Sequence, residues 1–424
     1  MNPLSITRSM LSRTFSRPYS RPIVLCVGLL AGSLFASFTA AAQESAKEPG
    51  LLAAELIFPL DDRHNHAPGI VEYPNGDLIV SWYRGSGERT ADDVVVLGSR
   101  KSAGDTKWSE PFLMFDEAGF PDCNTCMHLD TRGRLWLFWP TVIANSWESC
   151  LTRYRYADTL AADGKPQWNG EGLVLLKPDD FSQAGLEAIE RLLKEGFPDG
   201  IPERTHKVFD EAKKKLPQKL FQRLGWQPRC KPTVLPSGRI LLPLYTDTFS
   251  FSIMAISDDG GLTWYASKPI FGLGSIQPAV LRRDDGTLIA YMRNNGPGGM
   301  TLVSESRDDG ISWSVATLSP DIANAGSGLD GVRLRDGRWV LIANDLPEGR
   351  NRLTLLLSDD EGKSWKHRRA LEDHATGSYH YPTIIQGKDG NLHAVYSYFV
   401  EGGETMKYVK VSPDWITASD SSPK

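Results

Sequence analysis

The chain has 424 residues, a formal net charge of −5, 12 Trp and 39 Gly. A weakly acidic balance excludes the basic surface that nucleic acid or an anionic membrane would require. Richness in Gly and Trp points to short strands, tight turns and surfaces that stack on sugars, not to a helical bundle.

At the N-terminus, Arg8, Arg13, Arg17 and Arg21 precede an apolar or weakly polar run from Ile23 to Ala40, which ends in Ala40-Ala41-Ala42. This is the pattern of an export signal with a small-x-small cleavage site, so residues 1–42 read as a signal peptide and the mature chain as secreted or periplasmic from Gln43. An uncleaved anchor is the competing reading, because the run is nearly long enough to span a bilayer. Cys26 lies inside the run, away from any lipid-attachment position. Four cysteines follow, Cys123, Cys126, Cys150 and Cys230. An even set can form bridges in an oxidising compartment, although spacing alone does not choose a pairing. One C-x-x-C with no second pair or His cluster does not make a zinc site, and on an extended segment the side chains of Cys123 and Cys126 diverge.

From residue 71 onward one pattern recurs: an apolar run, a Gly turn, a second apolar run. It is seen in VEYPNGDLIVSW (71–82), HLDTRGRLWLFW (128–139), VLPSGRILLPLY (234–245), VLRRDDGTLIAYM (280–292), VRLRDGRWVLIAN (332–344) and IIQGKDGNLHAVYSY (384–398). Each copy reads as two strands joined by a tight turn. Aligned on Gly76, Gly133, Gly238, Gly286, Gly337 and Gly390, the copies recur about every 50 residues, the length of a four-stranded propeller blade. The predicted fold is therefore all-β, a six-bladed β-propeller over residues 51–415. The strand around Glu55–Phe58 is expected to complete the last blade beside Met406–Val411, which would close the ring. The long interval between Gly133 and Gly238 holds an insertion at about 179–224, between blades two and three. Its LEAIERLLKEGF and HKVFDEAKKKLPQKLFQRL stretches have helical periodicity, broken at Pro198, Pro202 and Pro217. It is too small and too charged to hold a core of its own; a lid or rim over the site and a passive flap are both consistent with it.

Between hairpins stand SDDGGLTW (257–264), SRDDGISW (306–313) and SDDEGKSW (358–365), with a degenerate version, SRKSAGDTKW, ending at Trp108. Each is expected just after the third strand of its blade. Ser257, Asp259 and Thr263 can bond turn amides, Gly261 can take a positive φ, and Trp264 can seal adjacent sheets. A self-satisfied turn explains the acidic residues better than calcium does, since no further carboxylates cluster there.

These repeats resemble the Asp-box (BNR) repeats of the sialidase superfamily over nearly the whole mature chain. The resemblance implies an active site at one end of the central channel, lined by the segments that enter each hairpin: DDRHNHAP, FPDCNTCMH, WQPRCKP, GSIQPA, NAGSGLD and GSYHYP. It also implies an arginine triad for a substrate carboxylate, a Tyr nucleophile with a Glu partner, and an Asp acid/base. Arg293 in LIAYMRNNG resembles the second arginine, and Arg350 in LPEGRNRL the third, with Arg352 its rival by register. Tyr381 in SYHYPTII resembles the nucleophile, and Tyr379, two residues away, would share its strand face. Asp92 or Asp93, in RGSGERTADDVV, falls where the acid/base is expected. A neutral Tyr avoids the repulsion that an anionic nucleophile would meet beside a carboxylate, and Arg forks grip a carboxylate at two points as Lys cannot.

Two departures accompany the resemblance. His66-Ala67-Pro68 replaces the first Arg-Ile-Pro, and Gln277 stands where a Glu would activate the Tyr; a Gln cannot take a proton. Arg63, Arg229 and Lys231 are basic groups that could compensate. His64 and His66 sit together in HNH, where an imidazole can serve as acid, base or ligand. A metal would need a third ligand from Asp122, His128 or His380, and none is expected; no Gly-rich nucleotide fingerprint is present either, so no cofactor is expected. The sequence thus reads as an exported glycoside hydrolase that acts on a glycan ending in sialic acid or a uronate, with retention of configuration. A carbohydrate-binding propeller with a decayed site, a uronate-specific lyase and a protein-interaction scaffold are the alternatives.

Overall fold

The computed structural model describes residues 49–195 and 203–418. The expected export signal lies outside them, and no helix among the described residues is long and apolar enough to cross a membrane.

The described strands form six antiparallel sheets, so the chain is a six-bladed β-propeller. Blade one runs His64–Glu72, Leu78–Gly85, Val95–Lys101 and Phe112–Phe115. Blade four, equally regular, runs Ser275–Arg282, Leu288–Asn294, Met300–Ser306 and Thr317–Ala323. The innermost strands of neighbouring blades touch around the ring, and that of blade six, Ser378–Gln386, meets that of blade one. Closure is made by Leu51–Leu56, which pairs with Gly403–Val411 as the outer strand of blade six. The N-terminal strand therefore caps an edge that would otherwise invite another chain.

The six aligned hairpin glycines all have φ between +81° and +94°, a conformation that costs a residue with a Cβ about 1–2 kcal/mol. The Asp boxes follow third strands, as expected. In blade three, Gly261 N–H donates to Ser257 Oγ at 2.8 Å and Thr263 N–H to Asp259 Oδ1 at 2.9 Å. Bonds from Thr263 hold the Asp259 carboxyl down at about 2, so the turn itself satisfies the charge. Three of the four box Trp meet a ring of the preceding blade: Trp264 meets Phe138, Trp365 meets Tyr291, and Trp108 of the degenerate box meets Tyr408. The repeat is a seam between sheets and carries no catalytic group.

The insertion forms helices α1 (Phe181–Glu195), α2 (Glu203–Lys215) and α3 (Lys219–Arg223). Phe181, Ile189, Phe209 and Leu216 are buried against Trp226, Phe249 and Phe251, so its apolar side completes a core shared with blades two and three. Cys123, Cys126, Cys150 and Cys230 are buried free thiols, with no bridge among them. Burial pushes the thiols up, to about 12 for Cys230, which keeps them protonated.

Candidate active site

At one end of the channel lies a cavity of about 320 Å3. Its geometry begins with backbone turns in the innermost strands. Ala67, Asn124, Gln277 and Tyr381 all take left-handed φ values, from +40° to +57°. Three of them precede a proline (Pro68, Pro278 and Pro382) and sit at register shifts between His66 and Gly69, Ile276 and Ala279, and His380 and Thr383. The residue before proline is disfavoured in the right-handed helical region, and the bulge lifts it out of the ladder. The side chains of Asn124, Gln277 and Tyr381 consequently line the cavity.

Tyr381 is the most constrained of these. Arg293 Nη1 and Gln277 Nε2 each donate to its hydroxyl oxygen at 3.0 Å. The His66 ring stacks on the phenol at 4.3 Å and 22°, and the Arg229 guanidinium lies 4.9 Å from its centroid. Gly328 approaches the ring from the blade-five side, and a Cβ there would come within 2.8 Å of Tyr381 Cδ1. Gly328→Ala is expected to tilt the phenol and lower turnover about 10–100-fold while the melting temperature stays within a few degrees. Parallel assays of activity and thermal unfolding check this.

Arg350 also lines the cavity. Its Nη1 donates to His380 Nδ1 at 2.7 Å and its Nη2 to the Gly326 carbonyl at 2.9 Å. An Arg can only donate, so His380 Nδ1 carries the lone pair and Nε2–H donates to Ser378 Oγ at 2.6 Å. Burial and the adjacent Arg350 push His380 down to about 3, in keeping with that neutral tautomer. Arg352 turns outward to Asp373 and does not line the cavity.

The two histidines of HNH differ in charge. Burial, with His380, His64 and nearby guanidiniums, drives His66 well below the ordinary range, so its ring is neutral. Burial also works against charge on His64, but bonds to Glu404 and Glu88 outweigh it and raise the group to about 9. The cavity wall thus presents two guanidiniums and one imidazolium.

Other expected site residues lie elsewhere. Arg229 is buried beneath Tyr381, donating to the carbonyls of Pro382 and Pro68, and holds innermost strands together rather than lining the cavity. Lys231 bonds to Asp330 and the Gly331 carbonyl and does not line it. Arg63 is exposed and paired with Asp93. Asp93 also accepts from Ser86, whose bonds hold it below the usual carboxylate range, and Asp92 accepts from Asn145; neither lines the cavity. Tyr379 does not share a face with Tyr381. The bulge between them breaks the two-residue alternation, and Tyr379 packs inside blade six against Tyr396 and Tyr398.

The carboxylates that do line the cavity are Glu88 and Asp247. Glu88 comes from the same loop as Asp92 and accepts from Tyr83 at 2.7 Å. Burial favours its neutral form, but His64 and Tyr83 prevail and hold it below the usual range. Asp247, on the turn after Ile240–Thr246, accepts from Gln227 at 2.8 Å. Desolvation by the surrounding protein pushes it above the usual range despite the opposing pull of Arg293. The two carboxyls are thus shifted in opposite directions within one cavity, the kind of environment that separates acid from base roles. Trp147, Tyr245 and Phe399 complete the wall. Sequence reading concentrated on strand entrances and so missed this group, although the exits of second strands already held Arg293. No group of three or more His, Cys, Asp or Glu suited to a metal exists among the described residues.

The BNR repeat-like domain model matches residues 208–394. No curated protein matches the sequence. A protein of unknown function from Dyadobacter fermentans is similar in structure, at 15% identity over 86% of this chain and 100% of that chain, TM-score 0.62. The leech intramolecular trans-sialidase, complexed with 2,7-anhydro-Neu5Ac, is 12% identical over 87% of this chain and 71% of that one, TM-score 0.63. The intramolecular trans-sialidase of Ruminococcus gnavus, in complex with oseltamivir carboxylate, is 13% identical over 87% and 99%, TM-score 0.61. Identities this low speak to fold. By its repeats and its six sheets, the chain is a six-bladed β-propeller similar in fold to sialidases, with a BNR repeat-like match confined to residues 208–394.

Proposed function

We propose that the cavity is the active site of an exported glycoside hydrolase that removes a single terminal anionic sugar, sialic acid or a uronic acid. The observation that carries the reading is the convergence of Arg293, Arg350 and imidazolium His64 on a cavity whose centre is the Tyr381 hydroxyl. Two guanidinium forks can hold a carboxylate, and about 320 Å3 suits one sugar rather than a chain. Relatives of this fold include trans-sialidases by name, which agrees with a carboxylated sugar.

The chemistry follows from the two carboxyls. Tyr381 oxygen attacks the anomeric carbon as the bond to the leaving oxygen breaks, and Asp247 gives its proton to that oxygen. The phenol proton leaves through the open cavity, since Gln277 cannot accept it. Water then attacks the glycosyl–tyrosine, Asp247 takes its proton, and Tyr381 is released to regain one from solvent. Glu88, held ionised, balances the positive charge that develops on the sugar. The overall outcome is retention.

Gln277 favours a second reading, a binding propeller, because it orients the phenol without serving as a base. Purified protein assayed against fluorogenic sialosides and uronides separates the two: turnover supports the hydrolase, and binding to glycan arrays with no turnover supports the binder. Within the hydrolase reading, Asp247→Asn is expected to lower turnover of poor leaving groups about 100-fold or more, whereas Asp93→Asn is expected to change it less than about threefold, since Asp93 lies outside the cavity. Equal losses in both would return the acid role to the Asp92–Asp93 loop.

A further inference from the structure

A second recess, about 460 Å3, adjoins the first, and Asp247 lines both. One wall is helix α2, with Val208, Phe209 and Ala212; facing it are Phe249, Phe251 and Leu273 of the propeller. Asp247 is the only ionisable residue among the described residues that line it. Phe209 and Phe249 are each 7% exposed, while Val208 is 59% exposed, so a large apolar side chain stands open on the wall. The two recesses are linked by a polar chain. Arg293, which holds the Tyr381 hydroxyl, also donates to Asn295 Oδ1 at 3.4 Å, and Asn295 Nδ2 donates to Ser250 Oγ at 3.2 Å. The insertion thus supplies half of a pocket beside the site rather than a cover over it.

We propose that this recess is an aglycone subsite that receives the apolar leaving group, an alkyl chain or an aromatic ring, of the glycoside whose anionic sugar fills the cavity. The inference rests on the hydrolase reading. Asp247 stands where the two recesses meet, which is where the leaving oxygen of such a substrate must lie. On one side of that oxygen the walls are charged, as a carboxylated sugar requires. On the other, Val208, Phe209, Ala212, Phe249, Phe251, Leu273 and Pro297 supply side-chain carbon, which rewards burial of apolar surface, while Thr205, Thr248, Ser250 and Asn295 add neutral polar groups and no charge.

The test compares kcat/KM for methyl, octyl and benzyl glycosides of whichever anionic sugar is turned over, whose alcohols are similar in acidity. Wild-type protein is expected to prefer octyl or benzyl over methyl at least about 10-fold, and Val208→Asp to cut that preference by about 10-fold. The octyl and benzyl arms distinguish a chain from a ring. A wild-type ratio near one, or a ratio that Val208→Asp leaves intact, overturns the subsite. If no glycoside turns over, the hydrolase reading fails by itself, and calorimetric titration with octyl glucoside then decides the recess. Binding that Val208→Asp weakens about 10-fold keeps an apolar-ligand site; absent or equal binding removes it. Circular dichroism and melting temperature verify that the variant is folded.

Discussion

Tyr381→Phe removes one oxygen and is expected to lower kcat about 10^3-fold or more, with KM changed only a few-fold. The ring should stay in place, because His66 stacks on it, Arg229 lies against it and the left-handed backbone at residue 381 aims it. What is lost is the atom that Arg293 and Gln277 both address. Two donors left without their acceptor carry a stability cost of about 1–3 kcal/mol each where they are cut off from water, and less where water reaches them. Activity should therefore fall by orders of magnitude while the fold persists. Paired measurements of kcat, KM and denaturant midpoint check the split, and an unaffected kcat would remove Tyr381 from the chemistry.

The second large effect concerns acid stability. His66 is held well below its ordinary 6.5, His380 down to about 3, and His128 and His393 down to about 4; burial is the leading cause in each. Each stays neutral in the fold and takes up a proton on unfolding at any pH between its folded and unfolded values. Their contribution is present above 6.5 and is lost as pH falls toward the folded values. Asp122 opposes them: burial raises it to about 6, so at pH 5 it releases a proton on unfolding. Asp247, also raised by burial, acts in the same sense as Asp122, so four histidines stand against two carboxyls and stability falls as pH drops toward 5. On the alkaline side His64 acts in the opposite sense. Its raised folded value, about 9, gives stability that is complete below 6.5 and lost as pH rises through 9. Denaturant unfolding at pH 5, 7 and 9 is expected to show a maximum near neutrality and the steeper loss on the acid side. A flat profile from 7 to 5 would mean that these histidines are hydrated.

The architecture was legible because its signals are local. A hairpin glycine at positive φ and a box whose Ser and Asp bond their own turn amides need no distant partner, and each repeats at blade spacing. Ring closure by Leu51–Leu56 followed from leaving no edge unpaired. The site was legible where residues enter innermost strands, and His64, His66, Gln277 and Tyr381 line the cavity together with Arg293 and Arg350. It was illegible where tertiary depth decides. Arg229 and Lys231 stand in the same kind of segment, yet they are spent on carbonyls and on Asp330. Tyr379 was misjudged because strand alternation assumes an unbroken ladder, and the bulge at Tyr381–Pro382 breaks it. Glu88 lay within a segment already singled out for Asp92 and Asp93, but only the loop's path aims it inward. Asp247 sits on an ordinary-looking turn, and its role comes from Gln227, Arg293 and helix α2, all distant in sequence or set by the fold.

Attack by Tyr381 on an anionic sugar held by Arg293 and Arg350 is the step on which the proposed hydrolysis stands. Sialosyl and uronosyl fluorides that carry a second fluorine beside the anomeric carbon slow release of a glycosyl-enzyme, so intact-mass and peptide mass spectrometry would read the attacking residue directly. One of the two reagents is expected to add a single sugar to the peptide bearing Tyr381, and Tyr381→Phe to abolish the label. A label on Glu88 or Asp247, or no label from either reagent while sugar binding persists, would contradict it.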